Sequence, residues 1–279
     1  MQSVNFKKWC QELRTKSYTL GEISLITKRP KTTVYFHIKN VPPTRKLLRK
    51  LKDIKTDSIK GKGPLKGKSL LGYKYKEFNQ WTPSLVNLVA HTLFDGAIRR
   101  EGVLYYNRSQ ALIDNFKNIM SLIYDGKPKI YNSKNGVTRI AYHNVELSVF
   151  LKNKSEQLII DILKLPVNFQ REFLRAFFDD EGSVDFRPYD KKRRIKGYQH
   201  NTNVLNLISK LLKNFGVDSC VYGRFNEVII TKKENIKQFA KEINFSKGLK
   251  INGQRSNSVW KRSFEKRSIL SNLLDSYQS

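Results

Sequence analysis

The sequence is poor in cysteine and in acid, and it has no long apolar run. Its two cysteines, Cys10 and Cys220, lie far apart in 279 residues. That excludes a disulfide framework and a cysteine-based metal quartet. No stretch approaches the ~18 consecutive apolar residues that cross a bilayer. The opening Met1-Gln2-Ser3-Val4-Asn5-Phe6-Lys7-Lys8 lacks the apolar segment of a signal peptide. An intracellular, non-secreted protein that makes no use of a membrane is expected. Acid is outnumbered: 24 Asp and Glu face 53 Lys and Arg, a net charge of +29. A surplus of this size repels itself on folding unless a polyanion offsets it. Nucleic acid is the leading partner, because each neutralised phosphate releases a counterion.

With 39% hydrophobic and 11% aromatic residues, the chain can fill a core, so disorder throughout is excluded. Residues 1–80 hold 20 Lys and Arg against 5 Asp and Glu, a net of +15. Within them, Thr19 with Glu22 three residues on predicts a capping box opening a short helix. Lys28-Arg29-Pro30 ends that helix, and Lys31 to Lys39 forms a second, with Val34 and Ile38 on one buried face. Two short helices around a tight turn resemble a helix-turn-helix. Arg45 to Lys52 predicts a further basic helix. The Gly/Lys-rich stretch from Ile59 to Lys68 suits a linker able to lie along phosphates.

The rest of the chain repeats itself. Leu88-Val89-Ala90-His91-Thr92-Leu93-Phe94-Asp95-Gly96 matches Leu174-Arg175-Ala176-Phe177-Phe178-Asp179-Asp180-Glu181-Gly182. Downstream, Ser109 and Thr202 align as N-caps, and two further strand-then-helix segments correspond. Two copies suit a pseudo-dimer in one chain. Gly96 and Gly182 are expected as helix C′ caps, which sets Asp95 and Glu181 at the negative ends of two helix dipoles. That placement costs roughly 0.3–1 kcal/mol each, and a divalent cation would reverse its sign. Ala90 and Ala176 allow the two helices to pack closely and bring the acids side by side. Paired carboxylates with a hard cation, Mg²⁺ above all or Mn²⁺, suit metal-assisted phosphodiester hydrolysis. Zinc is excluded for want of a His/Cys cluster.

The two nonapeptides resemble the paired motifs of the monomeric LAGLIDADG homing endonucleases, over roughly residues 80–255. The resemblance implies an α+β fold of tandem αββαββα repeats forming a pseudo-two-fold saddle, with repeats at 80–165 and 166–256. The residues themselves add a small helical, helix-turn-helix-like region at 1–58, which is no part of the minimal family fold and is read as extra DNA affinity, a linker at 59–79, and a basic amphipathic helix at 257–279. The resemblance further implies that Asp95 and Glu181, beside Gly96 and Gly182, bind metal and direct water, with Lys250 as the catalytic basic residue near the site of the second half and Lys232 as the alternative. No counterpart is identified in the first half.

Strands that alternate apolar with polar, such as Ser183-Val184-Asp185-Phe186-Arg187, can cover a core and read bases at once. The candidate DNA contacts are Lys31, Thr33, Arg45, Lys62, Arg99, Arg139, Ser183, Asp185, Arg187, Arg194, Arg224 and Lys232. In the C-terminal helix expected over Ser258 to Leu274, Lys261, Arg262, Lys266 and Arg267 are placed to touch phosphates. The leading expectation is a Mg²⁺-dependent endonuclease acting as a monomer on a long asymmetric site in double-stranded DNA, free-standing or intron-encoded rather than an intein. The alternatives are a non-cleaving transcription regulator on the same scaffold, and a maturase whose partner is intron RNA.

Overall fold

The structure, a computed structural model, describes residues 2–51, 74–133, 135–187, 189, 192–251 and 260–277. The chain divides into two compact units, residues 1–72 and 73–279. Lys62 and most of the proposed linker lie outside the described residues. Among the described residues, no helix is long and apolar enough to cross a membrane.

The first unit opens with helices α1 (Gln2–Thr15), α2 (Leu20–Thr27) and α3 (Lys31–Ile38). The capping box forms as the sequence dictates: Thr19 accepts from the Glu22 amide, and Glu22 accepts from the Thr19 amide. Lys28, left-handed at φ 53°, turns the chain, and Pro30 starts α3. Cys10, Ile23, Val34 and Ile38 form the small core. Residues 45–51 are also helical.

The second unit is the repeat. Its first copy runs α4 (Pro83–Phe94), β1 (Gly96–Arg99), β2 (Gly102–Asn107), α5 (Gln110–Ile123), β3 (Lys129–Asn132), β4 (Thr138–Tyr142) and α6 (Val145–Asp161). Its second runs α7 (Val167–Glu181), β5 (Gly182–Arg187), β6 (Lys192–Tyr198), α8 (Thr202–Asn214), β7 (Cys220–Tyr222), β8 (Glu227–Ile230) and α9 (Lys233–Glu242). Each copy is αββαββα. Each makes a four-stranded antiparallel sheet of the same order, β1-β2-β4-β3 and β5-β6-β8-β7. Helix α4 is buried at every residue from Leu85 to Thr92, as its nearly unbroken apolar run requires. It lies in one core continuous with α7.

Several local expectations are corrected. Gly182 has an extended backbone (φ −90°, ψ 153°) and begins a strand. Gly96 likewise begins a strand, after Asp95 closes α4. Neither is a left-handed cap. Each is needed because the strand turns back across the last helical turn. A Cβ on Gly96 would lie 2.3 Å from the Thr92 carbonyl oxygen, and one on Gly182 would lie 2.3 Å from that of Phe178. Gly182→Ala is therefore expected to destabilise by about 1–3 kcal/mol, the range for forced overpacking. A urea denaturation midpoint equal to wild type would contradict this.

The cap of α8 is Asn201, whose side chain accepts from the Asn203 amide, so Thr202 is the first helical residue. Arg224 is not on a strand: β7 stops at Tyr222, and Gly223–Phe225 form a 3-10 turn closed by left-handed Asn226. The last helix, α10, covers Lys266–Asp275 only. Phe264 and Glu265 lie outside it, beside hydrogen bonds between Ile251 N and the Phe264 carbonyl and between Lys266 N and the Leu249 carbonyl. Ile269 and Leu273 are buried as expected.

Candidate functional site at the helix interface

Helices α4 and α7 meet along faces that include the fully buried Ala90 and Ala176. Residues correspond between copies at an offset of 86, and the contacts across the interface obey that correspondence while their chemistry does not. Phe94 packs edge-on against Phe177, with ring centroids 5.1 Å apart. The equivalent contact joins His91 and Asp180, with Nδ1 2.7 Å from Oδ2. Nearer the helix starts, Asn87 donates to Glu172 (3.2 Å) and accepts from Asn115 (3.0 Å). The interface is aromatic on one side of the pseudo-dyad and polar on the other.

The polar side is a network. Asp180 accepts from Tyr105 Oη at 2.8 Å, in addition to its bond with His91. Asn107 reaches both halves, donating to Asp95 Oδ2 at 2.9 Å and to Asp180 Oδ1 at 3.4 Å. Burial pushes the Asp95 carboxyl up to about 8, helped by the charges of Asp180 and Glu181. Burial and Asp180 push Glu181 up to about 7. Asp179 is also pushed up by burial; its Oδ1 accepts from the Ser246 amide at 2.9 Å, and its Oδ2 is buried without a partner among the described residues. His91 opposes two effects: burial lowers its pKa, yet Asp180 beside it leaves the net shift upward.

One cation is built into this cluster. Lys266, from the start of α10, is buried, and its Nζ donates to the carbonyl oxygens of Phe178 (3.2 Å), Asp179 (2.8 Å) and Gly182 (2.7 Å). It caps the negative end of α7, the place where the acids are electrostatically least welcome. Burial lowers its pKa, and Asp179, Asp180, Asp95 and Glu181 counter that. The expected phosphate contact for Lys266 is thus corrected: its ammonium faces inward. Arg267 likewise donates inward, to the Phe245 carbonyl.

A cleft of about 1650 Å³ opens beside the cluster. Asp95, Asn107, Asp179 and Asp180 line it together with Arg108, Arg187, Lys196, Lys250 and Arg262. The structure places the predicted residues unevenly around it. Asp95, Gly182, Ser183, Asp185, Arg187 and Lys250 line the cleft, whereas Glu181, half-buried at the end of α7, does not. Lys232 is exposed at the start of α9, away from the lining.

On the outer face of the second sheet, Asp185 binds Arg194 at 2.7 Å and Arg187 at 3.3 Å. Lys196 is held by Glu227 at 2.7 Å. Arg139 stacks over Tyr131 at 3.9 Å on the first sheet. Arg99 is exposed at the end of β1 and Arg224 in its turn. Lys31, Thr33 and Arg45 are exposed on the first unit.

Asp95 and Glu181 offer the hard oxygen donors that suit Mg²⁺, so the donor chemistry fits such an ion. Among the described residues, however, no group of three or more His, Cys, Asp or Glu side chains is arranged to hold a metal. Both oxygens of Asp180 are already committed.

Residues 168–244 match the family described as LAGLIDADG-like domain. The tandem fold is similar to that of mesophilic variants of the homing endonuclease I-DmoI, at 18% identity and a TM-score of 0.46, over 58% of this chain and 90% of that one. It is similar also to full-length DUF199/WhiA from Thermatoga maritima, at 17% identity and a TM-score of 0.47, over 62% of this chain and 59% of that one. The N-terminal LAGLIDADG domain of DUF199/WhiA aligns at 18% identity and a TM-score of 0.44, over 59% of this chain and 84% of that one. No curated protein matches the chain. The described chain is an N-terminal helical region followed by two αββαββα copies, the second of which carries the match to the LAGLIDADG-like family.

Proposed function

We propose that this protein binds duplex DNA at a specific, asymmetric site and acts there as a binding protein of the regulator type. The observation that carries this reading is the basic cleft flanked by the two antiparallel sheets, on a chain of +29 that also bears a helix-turn-helix-like unit. Outer-face Arg and Lys residues suit guanine O6 and N7 in a major groove. Arg194 stands on that face, held by Asp185. The acid network supports the non-cleaving form of the reading, because Asp180 is engaged in joining the halves and Asp95 is bound within its own half. Asp180 is bound by His91 and Tyr105, Asp95 is bound by Asn107, and Lys266 is a resident counter-cation.

The second reading is metal-dependent double-strand hydrolysis. Its favouring observation is the pairing of Asp95 and Glu181, whose carboxyls are pushed up to about 8 and about 7 by burial first and by neighbouring negative charge second, a charge that a divalent cation would relieve. Asp95 and Glu181 would hold the ion, which when bound supplies an activated water. Lys250 would meet the phosphate from the cleft rim.

The test is selection of duplexes from a random library, followed by incubation of the winners with Mg²⁺. Wild type and an Asp95→Asn/Glu181→Gln variant are expected to bind the same sequences, with affinity falling steeply with salt, and neither is expected to cut. Cutting by wild type alone would establish the second reading. Absence of any selected duplex would sink both.

A further inference from the structure

Helix α3 presents an aromatic residue where a solvent-facing helix normally presents a polar one. At 100° per residue, buried Val34 and Ile38 define its inner face. Phe36 falls on the opposite side with Thr32 and Thr33 beside it. Phe36 is 67% exposed and Tyr35, next along, is 53% exposed. The rim is basic: Lys28, Arg29, Lys31 and Lys39 are all exposed. The Lys39 ammonium lies 5.7 Å from the Phe36 ring centre. Residues 1–51 hold twelve Lys and Arg and two Glu, Glu12 and Glu22. Glu22 is already bound to Lys50 at 2.6 Å and to the Thr19 amide.

Charge selects a polyanion for this face, and the apolar ring at its centre selects something other than phosphate. In a duplex the exposed apolar group is the thymine C5-methyl, which lies in the major groove and is contacted by Phe and by the Thr methyl. We propose that α3 enters the major groove and that Phe36, flanked by Thr32 and Thr33, is a specificity-determining residue that reads thymine methyl groups. This inference rests on the duplex-binding reading above and assigns the base class that the helical unit recognises.

The test uses the full chain on a duplex selected by wild type. Each thymine is replaced in turn by uracil, which removes only the methyl. At one or two positions wild type is expected to lose about fourfold in affinity, the worth of one buried methyl at ~0.8 kcal/mol. Phe36→Ala should bind more weakly to the parent duplex and show no uracil penalty at those positions. Because Phe36 is exposed, its melting temperature should stay that of wild type. Phe36→Leu, still apolar, should keep part of the penalty. Uracil penalties that persist unchanged in Phe36→Ala would overturn the inference while leaving duplex binding intact. So would a change in oligomeric state with an unchanged sequence preference, since the ring would then cover another protein surface. Failure to select any duplex would instead remove the functional reading on which the inference stands.

Discussion

Replacing Lys266 by methionine is expected to lower the free energy of unfolding by about 3–5 kcal/mol, the cost of stripping one partner from a buried charge cluster. Methionine fills similar volume, so packing changes little and the loss falls on electrostatics. Three carbonyl oxygens at the end of α7 lose their donor. Asp95, Asp179, Asp180 and Glu181 lose the cation that each of them feels. Without it the carboxyls of Asp95, Asp179 and Glu181 are pushed still further up, so the deficit should grow with pH. Urea denaturation at pH 5.5 and pH 8 measures this directly. An equal loss at both values would mean that Lys266 serves only as a hydrogen-bond donor, and no loss would refute the assignment.

Asp95→Asn is expected to stabilise the metal-free protein at pH 8. The sign follows from the carboxyl's ordinary value of 3.8 and its folded value of about 8. Below about pH 4 the group is protonated whether the chain is folded or not, and it costs nothing. As pH rises through that window the unfolded chain ionises first, so folding must hold a proton or bury a charge. The penalty is complete above about 8. Wild type should therefore melt at progressively lower temperature from pH 5 to pH 8. The Asn variant should show a flatter profile and a gain on the order of a few kcal/mol at the alkaline end. Differential scanning calorimetry across that range checks it, and an Asn variant less stable than wild type at pH 8 would contradict it. If the hydrolytic reading holds, millimolar Mg²⁺ will raise the wild-type melting temperature at pH 8 and leave that of the variant in place.

Much of this molecule was legible in order. Apolar periodicity and the repeat at an offset of 86 located both central helices, both sheets and the small alanines between the helices. The capping box at Thr19 was read correctly because its partners are three residues apart. What escaped depended on contacts between distant residues. Lys266 is one more lysine in a lysine-rich tail until the fold turns its ammonium onto α7. The two motif glycines suggested helix C′ caps, whereas each begins a strand, since proximity of a strand to the preceding helical turn leaves no mark in local sequence. His91 and Asp180 were visible only as departures between the two copies, each standing where the other copy has phenylalanine, Phe177 and Phe94. That these departures touch is a fact of packing.

The unlike seam between α4 and α7 has a consequence for how the halves can pair. Two first halves paired with each other would set His91 against Phe94, and two second halves would set Asp180 against Phe177. Each would bury a polar side chain without its partner, at a cost of about 1–3 kcal/mol per contact. Tyr105 and Gly197 reinforce the division. Tyr105 reaches Asp180 across the interface, whereas Gly197 leaves room for the Phe177 ring, which a Cβ there would meet at 2.3 Å. The halves have become a lock and its one key. A symmetric pairing of either half with a copy of itself would require changing both sides of the seam at once.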